Sequence, residues 1–164
     1  MAKAIVLRDY GTSDVMRLED VSVAAPGANE ILVRQTAIGV HFHDIYVRTG
    51  LYKTLRLPGT PGLEAAGVVD AVGAGQTRFN VGDRVVYVTS GYGAYASHRV
   101  VDEKAAIKLP DFVSDALMAT NFSRLLTVQM LTDKVTALQP SQTILVTAAT
   151  GGVGRLLCQH ANAL

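Results

Sequence analysis

The sequence has 164 residues, 49% of them hydrophobic and 18% charged, which is enough apolar surface for a buried core and too little charge for a disordered chain. Its formal net charge is +1, with Lys and Arg scattered singly, so no basic stripe is available to neutralise a row of phosphates and nucleic acid is not an expected partner. The single cysteine, Cys158, excludes an intramolecular disulfide and a cysteine-rich metal site. No apolar run approaches the ~20 residues of a membrane span, and Met1-Ala2-Lys3 leads straight into a strand pattern without a signal-peptide core. The expected location is cytoplasmic.

From Lys3 to Lys108 short β-rich runs alternate with Gly and Pro, the pattern of a sandwich or partly closed barrel. The predicted strands are Ala4 to Arg8, Met16 to Val21, Glu30 to Val40, Glu64 to Val72, Arg84 to Val88 and Ala94 to Val101. Several alternate apolar and polar residues as half-buried strands do. Turn chemistry separates them at Pro26-Gly27, Pro58-Gly59, Pro61-Gly62 and Val81-Gly82-Asp83. After Pro110 the texture changes: Ser114 can cap a helix whose apolar residues, among them Leu117, Met118, Phe122 and Leu125, recur at helical spacings to about Lys134. Pro140-Ser141-Gln142 then breaks the chain before Thr143 to Ala148, a continuous apolar run suited to a strand covered on both faces. A helix pattern follows from about Val153 through Ala161.

Between that strand and that helix lies Ala149-Thr150-Gly151-Gly152-Val153-Gly154. With Ala149 in place of the first Gly, it fits the dinucleotide fingerprint G-x-G-x-x-G in the required strand-to-helix setting. Gly151 and Gly152 carry no side chain to hold a pyrophosphate off the backbone N–H groups, the helix start points its positive end at the phosphate, and Gly154 permits close packing on the strand. A Gly-rich turn of this kind also serves purely structural ends. The residue that selects between NAD and NADP lies ~20 positions further on, past Leu164. One strand and one helix cannot cover both faces of a parallel sheet, so the chain is expected to be a fragment or to have that strand covered by something else.

Three segments carry a resemblance: Gly39-Val40-His41-Phe42-His43-Asp44-Ile45-Tyr46-Val47-Arg48-Thr49-Gly50-Leu51-Tyr52, Pro61-Gly62-Leu63-Glu64-Ala65-Ala66-Gly67-Val68-Val69, and Val81-Gly82-Asp83-Arg84-Val85. Together they resemble the medium-chain dehydrogenase/reductase superfamily, and the first most resembles its zinc-independent quinone oxidoreductase, zeta-crystallin-like branch. The resemblance implies a mainly β GroES-like substrate domain over residues 1–112. Residues 113–164 are then a linking helix and the first strand-turn-helix of a truncated α/β Rossmann domain. It also implies reduction of a quinone or related electron-poor carbonyl compound by NADP(H), with hydride passing in a cleft between the domains, and a homodimer in the full-length form. Zinc-free enoyl reductases share these motifs, and a non-catalytic GroES-like binding module is a further alternative.

Zinc-dependent members carry Cys where this chain has His41 and His where it has Leu63. A catalytic zinc needs three protein ligands, so none is expected. Tyr46 and Tyr52 match positions near nicotinamide and substrate, where a phenol can donate to a carboxamide or a developing oxyanion; the alternative is ordinary packing of half-buried tyrosines. His41 stands where quinone reductases have Asn, and it either donates a hydrogen bond as Asn does, titrates as Asn cannot, or is a tolerated loop substitution. Thr127, in Arg124-Leu125-Leu126-Thr127, matches a position near the cofactor, and Leu125 replaces a Gly. The catalytic candidates are therefore Tyr46, Tyr52 and His41. The cofactor-binding set is His41, Tyr46, Tyr52, Thr127, Ala149, Gly151, Gly152, Val153 and Gly154. Asp44 and Arg48 are expected to form a local pair, Glu64 to be buried and paired, and His43, His98 and His160 to lie on surfaces.

Overall fold

The computed structural model describes residues 1–75, 78–89 and 91–164. The chain divides into two compact units, Met1–Thr120 and Asn121–Leu164. The first contains a two-stranded antiparallel ribbon, β1 (Ala2–Leu7) with β2 (Met16–Val21), and a five-stranded antiparallel sheet. That sheet comprises β3 (Glu30–Ile38), β4 (Glu64–Val72), β5 (Arg84–Val88), β6 (His98–Asp102) and β7 (Ala106–Lys108), in the order β6-β3-β4-β5-β7. Helix α1 (Phe42–Thr49) sits between β3 and β4 in sequence, and α2 (Asp115–Gln129) follows β7.

Alternation makes the sheet. In β3, Ile31 and Val33 are fully buried, and across the pairing Ala65 and Val69 of β4 and Val85 and Tyr87 of β5 join them in one core with Phe79, Ala94, Val101 and Ala106. A second cluster, Leu7, Val47 and Leu55, seats α1, with Val15, Leu57 and Tyr92 packed on it. Strands β2, β4 and β5 have the bounds the sequence predicts. The predicted strand from Ala94 begins its ladder only at His98, because Ala94–Ser97 spends its hydrogen bonds elsewhere. Ala94 and Tyr95 N–H donate to the Gly62 and Pro61 carbonyls, Ser97 N–H donates to Lys3, and Tyr95 C=O accepts from Ile5.

Helix α2 opens where Asp115 takes hydrogen bonds from Thr36 Oγ1 at 2.5 Å and from Arg84 Nη2 at 2.6 Å, tying its first turn to β3 and β5. In the second unit the helix predicted to run to Lys134 continues past Gln129 as π-helical turns, Met130–Val135, with Thr136 N–H reaching back five residues to Leu131 C=O. Residues 143–148, predicted as a buried strand, pair with no strand among the described residues, and Leu145 is 89% exposed. An apolar run becomes a strand only with a neighbour to complete its ladder. Helix α3 (Gly152–Ala163) follows.

Candidate functional site

Gly39 ends β3, and its N–H donates to the Glu64 carbonyl at 2.9 Å. A Cβ there would lie 2.2 Å from the Ala119 carbonyl oxygen, 3.2 Å from His41 Nε2 and 3.3 Å from Glu64 Cβ. Only glycine lets the chain leave the strand at this point. His41, in extended conformation, is then the N-cap of α1, and its backbone N–H donates to Asp44 Oδ2 at 2.9 Å. Glu64 is fully buried, and its Oε2 lies 2.6 Å from His41 Nε2, with the imidazole 18% exposed. The sequence expectation of a buried, paired Glu64 holds, and its partner is the residue that departs from the family pattern.

Asp44 is buried too, and among the described residues it forms no ion pair with Arg48, the partner predicted for it. Its Oδ2 accepts from the His41 N–H and, at 3.1 Å, from the Tyr95 hydroxyl, since a carboxylate four-fifths of a turn into a helix satisfies the open N–H groups at the helix start more readily than a side chain one turn later. Burial pushes the Tyr95 phenol well above the usual tyrosine range, the neighbouring Asp44 charge and their hydrogen bond add to this, and Arg48 opposes it. Tyr95 therefore stays a donor. Its ring closes on Gly62, whose φ of 92° and a would-be Cβ contact of 2.3 Å admit no side chain.

Tyr46 and Tyr52 are 37% and 44% exposed and meet edge to face, with centroids 5.3 Å apart. Gly50, at φ 80°, caps α1 in the left-handed conformation, and the Tyr52 N–H then donates to the Tyr46 carbonyl at 3.0 Å. His43, predicted on the surface, is half-buried instead, with its ring 5.6 Å from Tyr52 and stacked 5.9 Å from Tyr92, whose hydroxyl lies 2.9 Å from Nε2. Tyr92 comes from the β5–β6 loop, and no motif in the sequence points to it. His98 also has partners, Asp70 at 3.4 Å and Ser97 Oγ at 3.0 Å. A cavity of about 470 Å³, lined by Ile5, Leu18, Ile38, Val40 and Tyr95 among others, opens elsewhere on this unit and includes neither His41 nor the Tyr46–Tyr52 pair.

In the second unit Gly151 is the N-cap of α3, its N–H donating to Ala148 C=O at 3.0 Å and its C=O accepting from Arg155 at 2.9 Å. A Cβ at Gly154 would stand 2.0 Å from the Ala148 carbonyl oxygen, so the helix start wraps directly onto the preceding segment. At Gly152 it would stand 2.7 Å from Arg124 Nε, which places a guanidinium at the helix end that carries partial positive charge. Helix-start N–H groups, a bare glycine backbone and a cation fit a phosphate group. Thr127 Oγ1 donates to its own helix at Ser123 C=O, and Leu125 is 38% exposed. Ala149 and Val153 flank this turn.

Among the described residues no three His, Cys, Asp or Glu side chains stand together as a metal-holding group. Among the described residues no helix is long and apolar enough to cross a membrane.

The chain is 44% identical over 164 residues to a quinone oxidoreductase of Pseudomonas aeruginosa, covering 100% of this chain and 50% of that protein. It is 35% identical to a 2-haloacrylate reductase of a Burkholderia species, covering 100% of this chain and 51% of the relative. The crystal structure of Escherichia coli quinone oxidoreductase complexed with NADPH superimposes with a TM-score of 0.91 at 40% identity, over 99% of this chain and 50% of that one. The chain thus spans about half the length of the curated relatives it matches. Residues 27–111, more than half of its length, match the alcohol dehydrogenase GroES-like domain, and the protein belongs to that family.

Proposed function

We propose that this chain is the substrate-handling half of a zinc-independent, cytoplasmic, homodimeric NADPH:quinone oxidoreductase, with residues 1–112 as the substrate domain and 113–164 opening the dinucleotide-binding domain. The observation that carries the reading is the His41–Glu64 pair, at 2.6 Å with Glu64 fully buried, at the head of the helix that carries the exposed Tyr46 and leads to Tyr52. The 44% identity to a quinone oxidoreductase supports it.

NADPH, when bound, supplies hydride. The backbone of Ala149, Gly151, Gly152, Val153 and Gly154, with Arg124 beside them, would hold its pyrophosphate, and the family resemblance assigns Thr127, Tyr46, Tyr52 and His41 to its nicotinamide end. The exposed edge-to-face phenols offer a planar ring an aromatic surface. His41, its Nε2 turned to the buried Glu64, sets the head of α1, while the exposed Tyr46 and Tyr52 hydroxyls donate hydrogen bonds to a quinone oxygen and solvent supplies the proton that the reduced oxygen takes up. A quinone is electrophilic enough for such donors to replace a Lewis-acid metal. The 2-haloacrylate reductase relative favours a second reading within the same chemistry, reduction of an activated C=C bond.

Tetramethyl-1,4-benzoquinone titrated into the 164-residue chain, followed by NMR of the tyrosines, tests the substrate assignment. Saturable perturbation of Tyr46 and Tyr52, weakened several-fold in Tyr46→Ala, is expected. No perturbation, or stronger perturbation by 2-chloroacrylate than by the quinone, removes the quinone reading.

A further inference from the structure

Tyr92 packs on the Leu7, Val47 and Leu55 cluster that seats α1, which fixes its ring. Its hydroxyl lies 2.9 Å from His43 Nε2 and also hydrogen-bonds with Thr54 Oγ1. His43 stacks on the Tyr92 ring at 12° and meets the Tyr52 ring at 51°. Residues from α1, from the turn after it and from the β5–β6 loop thus form one hydrogen-bonded chain that ends against the Tyr46–Tyr52 pair.

A phenol carries one proton and two lone pairs. Because Tyr92 has a neighbour on each side, it donates to one and accepts from the other, and the chain has two directions. In one, His43 Nε2–H donates to Tyr92, and Tyr92 donates to Thr54. In the other, Thr54 donates to Tyr92, Tyr92 donates to a bare Nε2, and the imidazole proton sits on Nδ1. Among the described residues Nδ1 makes no hydrogen bond. The second direction therefore leaves an uncommitted N–H on the ring that packs 5.6 Å from Tyr52, while the first leaves none.

We infer that His43–Tyr92–Thr54 is a second donor station of the site, in which His43 Nδ1–H hydrogen-bonds a carbonyl oxygen of the substrate and Tyr92, backed by Thr54, holds the tautomer that allows it. This role rests on the quinone reading above. A quinone carries two carbonyl oxygens, so a site that meets one with a tyrosine hydroxyl gains selectivity by meeting the other. A substrate oxygen selects the direction from Thr54 to His43, and an apolar ligand selects neither. His43 is a specificity-determining residue, and Tyr92 and Thr54 are positioning residues that act through it. The titratable groups facing His43 are Tyr52, from the turn after α1, and Tyr92, from the β5–β6 loop.

The test is ¹⁵N NMR of the His43 ring in the 164-residue chain, titrated with tetramethyl-1,4-benzoquinone, whose substituted ring spares the exposed Cys158 thiol from arylation. The ring is expected to move to the Nδ1–H tautomer as the quinone saturates. Tyr92→Phe weakens quinone binding about 5-fold, the worth of one hydrogen bond, and abolishes the tautomer change. His43→Gln, which keeps an amide N–H, retains more affinity than His43→Leu. Quinone binding that perturbs Tyr46 and Tyr52 while the His43 tautomer stays fixed, with unchanged affinity in Tyr92→Phe, overturns the donor role and leaves the quinone reading standing. No perturbation at either tyrosine overturns the quinone reading and the donor role with it. Should Tyr92→Phe not fold, the wild-type tautomer shift and the His43→Gln comparison decide the matter.

Discussion

At the scale of single residues, the His41–Glu64 pair sets the largest expected effect. Removing the imidazole in His41→Ala leaves a fully buried carboxyl group without the ring nitrogen that lies 2.6 Å from it, and losing a buried polar partner costs ~1–3 kcal/mol, more where the group is charged. Urea unfolding should read that loss, and His41→Asn, which returns a hydrogen-bond donor to the carboxylate, should recover much of it. Glu64 was legible in the sequence because a lone acid among Leu63, Ala65, Ala66 and Gly67 has to be buried and paired. His43 was not. Its partner Tyr92 lies 49 residues away, and spacing along the chain carries no signal for a contact that only the seating of a loop on α1 creates. The Asp44 assignment failed for a related reason: two opposite charges close together in the sequence suggested a local pair with Arg48, while the helix start and Tyr95, 51 residues on, claimed the carboxylate.

Among the elements, β2, β4 and β5 could be read to the residue, because turn residues bound short runs of strand-forming residues, β5 and the first half of β4 being buried on both faces and so largely apolar in succession rather than alternating. The run from Thr143 to Ala148 could not, since composition reports that a segment is suited to pairing and not whether a partner exists. Helix α2 gives a pH prediction. Burial raises the Asp115 carboxyl, but the hydrogen bonds from Thr36 and Arg84 and the Arg84 charge outweigh it and leave it below the usual aspartate range. A folded-state value below the unfolded one means the stabilisation is present above the ordinary carboxylate range and is lost as pH falls through the lowered value. Asp115→Asn should therefore cost ~1–3 kcal/mol near neutrality, and the gap from wild type should close in thermal melts taken at progressively more acid pH.

For the whole molecule, the two units carry different parts of the proposed chemistry. The polar and aromatic groups at Glu64, His41, Tyr46 and Tyr52 belong to the first, and the glycine turn at Gly151–Gly154 to the second. The 164 residues include the glycine turn but not the position ~20 residues beyond it that reads the ribose, so weak or absent NADPH binding and no turnover are expected of them alone. Saturable NADPH fluorescence together with quinone-dependent NADPH oxidation by the purified chain would contradict this. The exposed Leu145 makes a separate prediction: Leu145→Lys should lower concentration-dependent light scattering while leaving the melting temperature within a degree or two, because the side chain has little packing to lose. The π-helical turns at Met130–Val135 act on the second unit as a phase offset acts on a wave. Each residue of an α-helix rotates the face by about 100°, and turns that close over five residues absorb one extra residue. Deleting Asp133 should thus restore an unbroken α-helix with better backbone hydrogen bonding, yet rotate Leu138 away from the cavity of about 320 Å³ that it lines with Leu131 and Leu157. In this segment the regular helix would be the damaged form.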